Sequence, residues 1–137
     1  MEQHSLQKSL IKYRGQSPVG GHTMELFIGD RAAVFNRLKH SLELLAAPSD
    51  FQLRVAPGFG YRADELYLGF EQWRMKVLSN FESELASEQL SCLRSLHQIF
   101  LQMRHECWTD RAVADSTEWK IVRYLSIKAL QAFGWVN

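Results

Sequence analysis

Cys92, His97, His105 and Cys107 fall within a stretch of sixteen residues, and they are the side chains best suited to holding a soft metal ion or to nucleophilic chemistry. Their spacing argues against the metal. A structural zinc site takes paired ligands a few residues apart on converging turns, whereas Cys92 and His97, five positions apart, leave a helix in different directions. A Cys107 nucleophile with a histidine base fits poorly too. Cys107 precedes Trp108 near the end of a predicted helix, where the negative end of the helix dipole opposes a thiolate. The expectation is free, packed thiols with neither a metal nor a cofactor.

The glycines of PGFGY (57–61) would let backbone amides approach an anion, but the phosphate-binding patterns are missing. There is no GxxxxGK[ST], no GxGxxG between strand and helix, and no lysine placed to meet a phosphate. The segment reads as a turn.

The elements that must position any site follow from length and periodicity. A chain of 137 residues, 46% apolar with a net charge of +1, forms one compact domain and lacks the basic excess of a dedicated nucleic-acid binder. No apolar run approaches the roughly 20 residues that span a bilayer, and the first 20 residues hold no signal-like apolar block. Two cysteines without a disulfide framework point to a reducing compartment, so a soluble, cytoplasmic protein is expected.

GQSPVGG (15–21) sets off an N-terminal arm, 1–23, from a helical domain over 24–137. MELFIGD (24–30) allows a short strand or the lead-in to a helix. Asp30 is a candidate cap for a helix with Phe35, Leu38, Leu42 and Leu45 on one face, which Pro48 stops. FQLRVAPGFGY (51–61) alternates Phe51, Leu53 and Val55 with polar residues and reads as an extended piece or structured loop.

From Asp64 the stripe Leu66, Phe70, Trp73, Val77 and Phe81 marks a second helix. Ser87 caps a third, with Leu90, Leu93, Leu96, Phe100 and Met103, and the two should pair as an antiparallel hairpin. Asp115 and Ser116 offer caps for a fourth, carrying Trp119, Val122, Ser126, Ala129 and Phe133 and ending at Gly134. The fold class is therefore all-α, a single-domain bundle of about four helices with a short strand or extended loop near the N-terminal half. Each large side chain buried in such a core contributes roughly 1.5–3 kcal/mol. On this reading the stripes hold helices together and leave no equipped cavity for bond-making.

Between Tyr61 and Leu90 six acidic residues, Asp64, Glu65, Glu71, Glu82, Glu84 and Glu88, stand against three basic ones. A solvated face would explain them, yet an acidic surface also attracts a basic partner, and Glu71 lies near Tyr67 and Trp73. Asp64, Glu65 and Glu71 form the first candidate contact. The second lies opposite the core stripe of the last helix, where Lys120, Arg123, Tyr124, Ile127 and Gln131 combine the residue types favoured at interface centres.

The strings ADELYLGFEQW (63–73) and CWTDRAVADSTEWKIVRYLSIKALQAFGW (107–135), roughly a third of the chain, resemble small bacterial immunity proteins of contact-dependent growth inhibition and related toxin systems. Trp119, Arg123, Ala129 and Gly134 carry the likeness, from which the glycine-proline arm departs. The resemblance implies a cytoplasmic protein that binds and blocks one cognate toxin domain, with no catalysis of its own. Contact with membrane or directly with nucleic acid is not expected. The alternative is a small helical enzyme or ligand-binding protein in which Tyr61, Glu65, Glu71, Trp73 and His97 line a pocket between helices.

Overall fold

The computed structural model describes residues 30–55 and 62–136. The arm, residues 24–29 of the segment read as a short strand or a helix lead-in, and Tyr61 with the rest of the PGFGY turn lie outside them. Among the described residues the chain is all-α, without strands. The four long helices are α1 (Arg31–Ala46), α3 (Arg62–Phe81), α4 (Ser87–Gln102) and α6 (Thr117–Ala132). Two short ones, α2 (Ser49–Val55) and α5 (Asp110–Asp115), interrupt the connections.

The stripes read from periodicity become the core. Leu38, Leu42, Leu45, Phe70, Val77, Leu93, Leu96, Trp119, Val122 and Ala129 are sealed from solvent, while Phe35, Trp73, Met103 and Phe133 pack partly buried at its edge. α1 lies along α3 and α6, and α4 lies along α6. Phe35 on Phe81 makes α1 and α3 antiparallel, Tyr67 on Phe100 does so for α3 and α4, and Phe100 on Trp119 for α4 and α6. The helices thus run up and down in chain order around one core.

One seam of this ring is different. The backbones of α3 and α4 approach each other only sparsely, and the expected hairpin is joined by long side chains instead. Phe100 bridges it, with its ring centroid 4.8 Å from that of Tyr67 and 6.0 Å from that of Phe70.

The caps explain how the chain turns. Ser116 Oγ accepts from the Trp119 N–H at 3.1 Å to start α6, and Thr109 does the same for α5 through Ala112. Asp30 precedes α1 without a side-chain cap bond. α4 begins after Ala86, whose N–H donates 2.8 Å to Gln89 Oε1, so Ser87 is the first helical residue and not the cap. At the far end of α6, Gly134 takes φ +73°, and the Gly134 and Trp135 N–H groups bond back to Gln131 and Leu130, closing the last turn.

The segment read as extended, 51–55, is helical. Pro48 ends α1 and also starts α2, because its carbonyl accepts the Gln52 N–H at 3.0 Å, and a proline loses nothing at a helix start where its missing donor is not required. α2 packs on α5, so both short helices sit at the end of the bundle where α1 and α4 finish and α3 and α6 begin.

Candidate functional site

The wide α3–α4 seam holds a polar cluster that the stripes alone do not foretell. Glu71 follows the core residue Phe70 on α3 and is itself only 3% exposed. Its carboxylate accepts from Arg74 Nε at 2.9 Å and from Arg74 Nη2 at 2.5 Å, a bidentate pair between residues one turn apart. From α4, His97 Nδ1 lies 3.1 Å from the same Oε1.

A carboxylate clamped by a guanidinium only accepts, so Nδ1 carries a proton, and in the neutral ring the lone pair would sit on Nε2. Among the described residues Nε2 makes no hydrogen bond, and the His97 side chain is 24% exposed. The cluster also acts on Tyr67. Burial, and then the negative charge of Glu71, push the Tyr67 phenol up to about 12, with Arg74 opposing.

Glu71 was expected on a contact surface, and its placement there is corrected. Its carboxylate faces inward because one turn of α3 brings Arg74 alongside and the seam brings His97, which together meet the charge that burial would otherwise strand. Asp64 is half-buried in the first turn of α3, and Glu65 is exposed beside it. The three therefore do not form one acidic surface. Of the five side chains of the pocket alternative, Glu71 and His97 meet. Trp73 turns toward Arg37 on α1 and toward Lys76, and Glu65 points to solvent.

The second candidate surface divides in a different way. Tyr124 is 59% and Ile127 42% exposed, and Ile121 extends the same outer face of α6. Lys128 Nζ stands 5.9 Å over the Tyr124 ring. Arg123 instead turns toward the short helices and is half-buried. Its Nη1 donates at 3.0 Å both to Gln52 Oε1 and to the Val113 carbonyl. Gln52 is fully buried, and its own amide donates to the Leu44 and Leu45 carbonyls at the end of α1. Burial lowers the Arg123 pKa. This network ties α1, α2, α5 and α6 together, and nothing in the spacing of Gln52 and Arg123 announces it.

Burial raises both thiols. Among the described residues no three His, Cys, Asp or Glu side chains gather as metal ligands, and no helix is long and apolar enough to cross a membrane. Compared with models of protein families, with curated proteins and with solved structures, the chain matches none.

Proposed function

We propose that this chain is a protein-binding module that engages its partner through the outer face of α6. The observation that carries the reading is the row Ile121, Tyr124 and Ile127, exposed on successive turns of a helix whose opposite side is fixed in the core. Aromatic and apolar groups on a rigid helix face, rimmed by Lys120 and Lys128, suit an interface centre in which few side chains carry most of the affinity. The resemblance of 63–73 and 107–135 to immunity proteins supplies the finer form: a cytoplasmic bacterial protein that holds and blocks one cognate toxin domain.

Co-expression with the product of the neighbouring gene, followed by co-purification and growth rescue, tests it. Tyr124→Ala and Ile127→Ala should each weaken the complex by about 2 kcal/mol, roughly thirtyfold in Kd, while the protein stays folded. Unchanged affinity in both would remove α6 as the contact.

A second reading rests on Glu71 and His97. An imidazole oriented by a buried carboxylate on a side chain that keeps part of its surface in solvent is the arrangement of a general base or of a ligand-binding histidine. Saturable binding of a small molecule that His97→Gln abolishes, with folding intact, would favour this reading over the first.

A further inference from the structure

Arg123 differs from the other arginines that make side-chain bonds. Arg31 pairs with Glu84, Arg62 with Asp110 and Arg74 with Glu71. Among the described residues Arg123 meets only neutral acceptors, the Gln52 amide and the Val113 carbonyl, and both are served by the single nitrogen Nη1. Its Nε and Nη2 make no bond among the described residues, and neither is counted among the buried atoms that lack a partner. A guanidinium presents its donors as a planar fork matched to a carboxylate. Here one prong is anchored on the two short helices, and the remaining edge has no counter-ion among the described residues.

The surroundings fix the charge and character of what would complete it. Beyond Glu118 the sequence of α6 carries Lys120, Arg123 and Lys128 and no acidic residue. Tyr124 and Ile127, adjacent to Arg123 and one turn beyond it, are exposed. A partly desolvated cation beside an aromatic and an aliphatic side chain is complementary to an anionic group flanked by apolar ones.

We propose that Arg123 is a receptor for an Asp or Glu carboxylate of a partner protein, presented on an acidic, amphipathic segment whose apolar side chains cover Tyr124 and Ile127. This deepens the protein-binding reading and rests on it. It names the sign of the partner and the atoms that recognise it.

The test uses the full chain and two synthetic amphipathic peptides of equal length, one of leucine and glutamate and one of leucine and lysine, followed by NMR. The expected result is that the glutamate peptide shifts the Arg123 Nε–Hε signal together with Tyr124 and Ile127, and binds at least about tenfold tighter than the lysine peptide. Arg123→Gln should remove that preference. Because this variant also loosens the Gln52 network, Lys120→Glu and Lys128→Glu, both at exposed positions outside that network, serve as further checks and should each weaken glutamate-peptide binding.

Equal binding of both peptides at α6 would overturn the carboxylate receptor and leave protein binding through this face standing. Shifts confined to other helices would overturn the proposal, as would displacement of the glutamate peptide by a short DNA duplex that shifts the same α6 signals. Failure of the neighbouring gene product to associate, by contrast, bears on the broader reading.

Discussion

Across the α3–α4 seam, His97 Nδ1 sits 3.1 Å from Glu71 Oε1, so an imidazole on one helix is oriented by a carboxylate buried on the other. The neutral ring should therefore be the tautomer protonated on Nδ1. Nitrogen NMR of the imidazole reads this directly, and a ring protonated mainly on Nε2 would contradict the arrangement. Glu71→Ala should shift the tautomer balance and cost about 2–3 kcal/mol in urea unfolding. That lies below the full penalty for stranding a buried charge because solvent reaches Arg74 and His97.

Tyr67 gives the fold a dependence on alkaline pH. Below pH 10 the phenol is protonated in both the folded and the unfolded chain. Between pH 10 and about 12 the unfolded chain ionises while the folded one holds its proton, so stability falls as pH rises through that window. Tyr67→Phe should lose less stability than the parent from pH 10 to 12. Chemical unfolding at fixed pH values checks it, and parallel curves for the two proteins would remove Tyr67 as the source.

Gln52 and Arg123 should behave as a coupled pair. Gln52→Ala takes the amide away from the Leu44 and Leu45 carbonyls and leaves Arg123 Nη1 with the Val113 carbonyl alone, at a cost of about 1–3 kcal/mol. A double-mutant cycle with Arg123→Ala should return an interaction of about 0.5–2 kcal/mol, since the two side chains share a bond. Additive losses would mean that Arg123 is held by Val113 alone.

The thiols should be slow to react. Burial raises Cys92 first, with the Glu88 charge adding and Lys128 opposing. At Cys107 burial again leads, the hydrogen bond at the Arg104 backbone opposes, and Glu118 and Glu106 add. At neutral pH a chromogenic disulfide reagent should modify the half-buried Cys92 before the buried Cys107, and both more slowly than free cysteine; denaturant should release both. Rapid modification of Cys107 in the folded chain would reopen the nucleophile reading.

The long helices were legible because their apolar residues recur at three and four, and the cap at Ser116 and the stop at Gly134 act as those residue types dictate. α2 was not legible, since alternation over five residues suits a half-buried strand as well as one exposed helical turn and a half. Pro48 was read only as a stop, although a proline serves equally to begin a helix. Glu71 was misplaced because a carboxylate next to Phe70 reads as surface until its partners are known. Arg74 lies one helical turn on, a spacing that was not read as a pair, and the contribution of His97 depends on how α3 and α4 meet, which periodicity does not specify. Arg123 was read as a face residue for the same reason: its acceptors come from α2 and α5, elements with no signature of their own.

Arg31 reaches Glu84 and Gln89 Nε2 reaches the Ala132 carbonyl, so α1 begins and α6 ends beside the same tight turn, away from α2 and α5. Tension applied at those two points would peel α1 from α6 row by row and would not slide one past the other. The bundle should accordingly yield to weak mechanical load, and a fluorophore pair or surface tether placed at those points would leave Arg123, Tyr124 and the short helices clear.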